Sequence, residues 1–293
     1  MRSRSRFAGL SAVATAAAVA ASLALALAPH SSAVAAAATA GTVPTPAHIV
    51  VVMEENHSFD DVIGDTSDAP YINSLASQGA LMTSSFGVTH PSEPNYMALF
   101  GGSTFGLSSD ACPVNEGSKA NLGSELLASG RTFKGYSEGL PKTGSTSCTS
   151  GSYARKHSPW VNFSNVPAAD SLPFSSFPTD YSKLPTVSFV IPNLDDDMHD
   201  GTIADGDSWL QDNLAGYATW AQQNNSLLVV TWDEDDYTES NQIPTLFFGA
   251  HVRPGQYSET INHYNVLATL EKMYGLAPVG QSASAAPIAD IWN

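Results

Sequence analysis

The chain has 293 residues, with 28 acidic side chains against 12 lysines and arginines and a formal charge of −16. So acidic a protein lacks the basic surface that general nucleic-acid or anionic-membrane binding requires. Hydrophobic residues make up 43% of it, enough for a substantial core.

The first segment is basic ("MRSRSRF"), followed by an apolar stretch over residues 8–28 and small residues up to Ala40. This pattern reads as a secretory signal over residues 1–40, cleaved between Ala35 and Ala40. It implies an exported, extracellular protein with no stable membrane insertion. Because Arg2, Arg4 and Arg6 leave with the signal and no acid does, the remainder is more acidic still. Residues 41–293 then read as a single domain.

Five apolar runs are expected to be buried strands: 48–53, 81–88, 186–191, 227–232 and 245–250. Helical patterns lie between and after them, at 71–79, 207–224 and 264–275. In the second, Leu210, Leu214, Tyr217 and Ala221 recur at helical spacing. Gly275 suits a C-cap of the third. Near-continuous apolar strands alternating with helices indicate an α/β fold whose sheet is covered on both faces. Residues around 103–183 break the alternation. They are rich in Ser, Pro, Gly and Thr, and are expected to form a loop-rich insertion acting as a rim or lid. Six basic residues gather there, from Lys119 to Lys156, as an anion-attracting wall or a solvated face. Cys112 and Cys148 lie in the same region; in an exported protein they are expected to form a disulfide contributing about 3–4 kcal/mol.

The residues just beyond each strand carry the chemistry. The first strand runs into Glu55 and Asn56, the second into His90 and Ser92, the third into three aspartates and His199, the fourth into Asp233 and Glu234. Ligands of open α/β sheets bind beyond the carboxyl ends of strands. Several carboxylates at one place repel one another unless a cation neutralises them. The oxygen donors favour Ca²⁺, Mg²⁺ or Mn²⁺; the histidines His199 and His263 leave Zn or Fe open. The H-E-x-x-H, Walker and G-x-G-x-x-G motifs are absent. Ser92, ahead of Pro94 and the apolar "YMALF", stands where a helix begins. There it is either the helix N-cap or a nucleophile facing both a metal and helix N–H groups.

"VVVMEENHSFDDVIG", "THPSEPNY", "YARKHSPWVNF", "IPNLDDDMHDGTIADGDSWL", "VVTWDEDD" and "INHYNVLATLEKMYGL" occur in order over residues 46–276. Together they resemble the secreted phosphoesterase family of acid phosphatases and phospholipases C, and its acid phosphatase branch in particular. The resemblance implies the three-layer α/β/α sandwich of the alkaline-phosphatase-like superfamily, with a mostly parallel central sheet. It implies a metal site made by Glu55, Asn56, Ser92, Asp233 and Glu234, with Ser92 as nucleophile. His199 and His263 would bind phosphate, a second ion or the leaving group. Asn95, Lys156, His157 and His90 are expected to face the substrate phosphate. His57 replaces the arginine that succeeds Glu-Asn in the phospholipase branch, which favours a phosphatase acting on small monoesters. A phospholipase C-type diesterase and a non-catalytic phosphate- or metal-binding protein are the alternatives.

Overall fold

The computed structural model describes residues 41–293 except Glu239; the expected signal segment lies outside the described residues. Eight strands form the main sheet. They are β1 (His48–Glu54), β2 (Ala80–Met82), β3 (Phe133–Ser137), β4 (Ser171–Pro173), β5 (Val187–Ile191), β6 (Ser226–Trp232), β7 (Thr245–Gly249) and β8 (Gly255–Tyr257). Their spatial order is β8-β2-β7-β6-β1-β5-β3-β4. Only β7 runs against its neighbours, pairing antiparallel with β6 and β2. The helices are α1 (Phe59–Val62), α2 (Pro70–Gln78), α3 (Ser92–Gly101), α4 (Leu122–Ala128), α5 (Ile203–Gln223) and α6 (His263–Tyr274).

The sheet reads as apolar runs because both its faces are covered. Along β1, Ile49, Val51 and Met53 enter one core while Val50 and Val52 enter the other. The first core also takes Met97, Leu99 and Phe100 of α3, Leu126 of α4, and Val266 and Leu270 of α6. The second takes Val62 of α1, Ile72 and Leu75 of α2, and Leu210, Leu214 and Tyr217 of α5. The result is the expected α/β/α sandwich. All ten residues of α3 are buried, so that helix has no polar face to betray it by periodicity. Phe100 of α3 meets Phe133, Phe163 and Phe189 at ring separations of 5.2, 5.8 and 5.5 Å. Truncating such a ring costs about 3–5 kcal/mol.

Three local expectations are corrected. Residues 81–88 are not one strand: β2 ends at Met82, and Ser85–Phe86 pairs instead with Ile261–Asn262. α5 begins at Ile203 rather than Asp207. Thr202 Oγ1 accepts from Asp205 N, and the Asp205 carboxylate accepts from Thr202 N in return. The insertion is also more than a loop-rich lid, since α4, β3 and β4 lie inside residues 103–183. β3 escapes detection because it is short and carries Lys134 and Gly135. A Cβ at Gly135 would sit 2.1 Å from the Trp160 indole, so the glycine is what lets that ring lie on the strand. The expected bridge between Cys112 and Cys148 is formed.

Candidate active site

The carboxyl ends of the adjacent parallel strands β6, β1 and β5 are stitched together by main-chain bonds. Asp233 N donates to Glu54 O at 3.0 Å, and Glu55 N donates to Asp197 O at 2.8 Å. Asn56 comes next with φ +54, a left-handed conformation that asparagine tolerates. Its main-chain N–H donates to Asp233 Oδ1 at 3.2 Å. Glu55 and Asp233 thus face each other, fully buried, at the end of the two central strands.

Ser92 is the first residue of α3, preceded by Pro91 in extended conformation. Its side chain makes no cap bond. The hydroxyl donates to Glu55 Oε2 at 2.9 Å.

Around that hydroxyl the carboxylates are not at ease. Burial raises the Asp233 pKa well above its ordinary value, and the charges of Glu55 and Glu234 push it further. Burial and Glu55 likewise push Glu234 up to about 8. Glu55 moves the other way: burial opposes its charge, but His157 beside it outweighs that cost. Asp233 Oδ2 is buried without a hydrogen-bond partner. One end of the Asn56 amide lies 3.1 Å from Glu55 Oε2 and 3.3 Å from Glu234 Oε1. As nitrogen it donates to both carboxylates; as oxygen it joins them as a third donor to a cation. An orphaned buried carboxylate oxygen beside an all-oxygen donor set fits a hard divalent ion.

His157 is buried and bridges two acids. Nδ1 bonds Asp197 Oδ2 at 3.0 Å, and Nε2 lies 2.9 Å from Glu55 Oε1, out of line for a hydrogen bond. Burial works against its charge, yet Glu55 and Asp197 prevail and push its pKa up to about 9. The Tyr96 ring stacks on it at 4.8 Å. His157 therefore holds Glu55 in place from behind, and the Tyr96 and Asp197 supports were not among the residues singled out by sequence. Lys156 Nζ reaches Asp110 Oδ2 at 2.9 Å and His199 Nε2 at 3.1 Å, while His199 Nδ1 meets Asp200 Oδ1 at 2.7 Å. Asp110 Oδ1 in turn accepts from Glu93 N in the first turn of α3. A ring nitrogen from each of His157 and His199 lies within 4.8 Å of a Glu55 oxygen and of the other, a set able to hold an ion.

Three other residues singled out by sequence are placed as follows. Asn95 has both ends of its amide engaged. Oδ1 accepts from Val88 N and Thr89 N, and Nδ2 donates to Thr89 O, Pro91 O and Glu234 Oε2. That makes it a clasp on the loop before Ser92 rather than a free phosphate donor. His263 is buried beneath Asp233, its Nε2 2.8 Å from the Asp233 carbonyl oxygen. Burial pushes its pKa down to about 4 against that carbonyl, and its Nδ1 is buried without a hydrogen-bond partner. His90 lies 3.0 Å from Glu234 Oε2 and 3.2 Å from Asp235 Oδ1, under the exposed ring of Tyr237.

The fold is similar to that of a solved member of the alkaline phosphatase superfamily. A superfamily protein from Vibrio parahaemolyticus superposes with a TM-score of 0.59 at 14% identity, over 85% of this chain and 72% of that one. The lipoteichoic acid synthase of Listeria monocytogenes does so at 0.58 and 11% identity, over 83% and 75%. The chain belongs to the Phosphoesterase family, whose model matches residues 65–277. It is 63% identical over 87% of its length to a phosphatidylinositol-3-phosphatase of Mycobacterium tuberculosis, covering 85% of that protein. It is also 32% identical over 81% of its length to an acid phosphatase of Aspergillus fumigatus, but spans only 57% of that chain. The protein is a phosphoric ester hydrolase.

Proposed function

We propose that the protein is an exported, divalent-metal-dependent phosphomonoesterase that works through a phosphoserine on Ser92. The observation that carries this reading is the Ser92 hydroxyl, donated at 2.9 Å to Glu55 beside the orphaned Asp233 oxygen. Glu55, Asn56, Asp233, Glu234 and Ser92 would hold the ion. When bound, it neutralises the carboxylates and the phosphoryl oxygens and makes the serine hydroxyl more acidic.

The remaining chemistry belongs to the chain. Ser92 Oγ attacks phosphorus and its proton passes to Glu55 Oε2, the oxygen it already bonds. His157, charged and fixed by Asp197, keeps the Glu55 carboxylate oriented for that transfer. At rest Lys156 donates to His199 Nε2. The incoming phosphate draws Lys156 to itself, and the freed nitrogen takes up a proton from water and delivers it to the leaving oxygen. Water then hydrolyses the phosphoserine and returns the hydroxyl. His90 positions Glu234 and Asp235 at the rim.

The name of the 63% identical relative favours a phosphatidylinositol monophosphate as one substrate, because its ring phosphate is a monoester. A panel of p-nitrophenyl phosphate, phosphatidylinositol 3-phosphate and bis(p-nitrophenyl) phosphate separates the readings. Both monoesters are expected to turn over, with kcat/KM at least about tenfold above that of the diester. Preferred cleavage of the diester would instead establish the phospholipase C-type reading. A purified, metal-replete protein that turns over none of the three would leave a binding protein.

A further inference from the structure

A cavity of about 280 Å³ opens beside the catalytic groups. Lys156 and His199 line it together with Asp110, Asp200, the Cys112–Cys148 bridge, Ala154, Leu194 and Thr149. Its position is set by bonds already described. His199 has a ring nitrogen within 4.8 Å of a Glu55 oxygen, and Glu55 accepts from the Ser92 hydroxyl. In the proposed reaction the phosphoryl group carried by Ser92 meets the Lys156–His199 pair. Whatever is esterified to that group and leaves on the His199 side runs into this cavity.

The chemistry of the walls selects what fits. The polar groups around the rim are already engaged with one another: Asp110 with Lys156 and Glu93 N, His199 with Asp200 and Lys156. Beside those groups the lining offers sulfur, the Ala154 methyl, the Leu194 isobutyl group and Thr149. Such a surface rewards contact with an apolar ring face more than hydrogen bonding to hydroxyls. The disulfide has a specific place here. It ties residue 112, two positions from the Asp110 that holds Lys156, to residue 148, one before the Thr149 wall. The bridge therefore fixes at once a wall of the cavity and the anchor of the lysine that lines it.

We propose that this cavity is the leaving-group subsite, seating the ring face of a ring-bodied alcohol against the Cys112–Cys148 bridge and Leu194. The assignment deepens the phosphomonoesterase reading and rests on it. It makes Leu194 and Thr149 specificity-determining residues that take no part in the chemistry. Because an apolar wall contributes to holding the ring and not the phosphoryl group, filling the cavity separates the two.

The test uses two non-hydrolysable ligands, benzylphosphonate and methylphosphonate, titrated by calorimetry into the intact metal-replete protein. They share the phosphoryl-like head, and only the first carries a ring. The wild type is expected to bind benzylphosphonate at least about tenfold more tightly. Leu194→Trp and Thr149→Trp, which fill the cavity from different walls, are each expected to bring that ratio close to one. Methylphosphonate affinity is expected to stay within about twofold. A wild-type ratio near one overturns the subsite, as does a ratio that survives both substitutions. Equal weakening of both ligands in both variants also overturns it, because the walls would then be shaping the phosphoryl site. Since binding is read without turnover, absence of hydrolysis by the wild type counts against the phosphatase reading alone.

Discussion

Ser92→Ala is expected to lower turnover of p-nitrophenyl phosphate by at least about a thousandfold, as loss of a nucleophile acting within a concerted site does. The fold should survive. Ser92 makes no cap bond, and its one side-chain bond, to Glu55, is worth about 1 kcal/mol net. The hydroxyl is buried at 2% exposure, so alanine fits the same space. A thermal midpoint within a few degrees of wild type, beside lost turnover, identifies a chemical role. A variant that keeps a tenth or more of the wild-type rate removes Ser92 from the mechanism.

Asp233→Asn carries the second large effect, with a signature that a merely structural residue does not show. In the wild type a saturating divalent ion should raise the thermal midpoint, since an ion at about 100 times its Kd stabilises by about 2.7 kcal/mol. Chelation should remove that gain together with the activity. Asn at 233 takes away one of the charges the ion neutralises, and the ion-dependent gain should largely vanish. The metal-free variant should match or exceed the metal-free wild type in stability, because Asp233 is buried against Glu55 and Glu234 with one oxygen unpartnered. If the variant keeps the ion-dependent gain, Asp233 is not a ligand. If it is markedly less stable without metal, its carboxylate is a structural bond rather than a cation site.

Legibility in the sequence tracked the range of the interactions. β1 and β6 were plain because burial on both faces writes an uninterrupted apolar run. β3 was hidden: five residues with a lysine and a glycine carry no such run, and the reason for Gly135 is a Trp160 ring twenty-five residues away. In the site, Glu55, Asn56, Asp233 and Glu234 could be placed together because each directly ends a strand whose direction was inferable. Asp197 could not, because its role is to hold His157, forty residues earlier, and nothing local announces that pairing. Asn95 and His263 were assigned to substrate because a sequence shows which donors exist but not which are already engaged. Here Asn95 clasps Thr89 and Glu234, and His263 Nε2 meets the Asp233 carbonyl. The expectation that Ser92 starts a helix was sound. The direction of its hydroxyl depended on Glu55, brought there by β1, and only the folded chain gives that.

The central claim is a covalent phosphoserine, and trapping it is the most direct measurement. The metal-replete enzyme would be mixed with ³²P-labelled p-nitrophenyl phosphate, quenched in acid during turnover, digested, and the labelled peptide sequenced. The account predicts acid-stable label on the peptide containing Ser92, and none on the Ser92→Ala protein. Label on a histidine, or full turnover with no label on Ser92 when release of the phosphate is slowed, would contradict it.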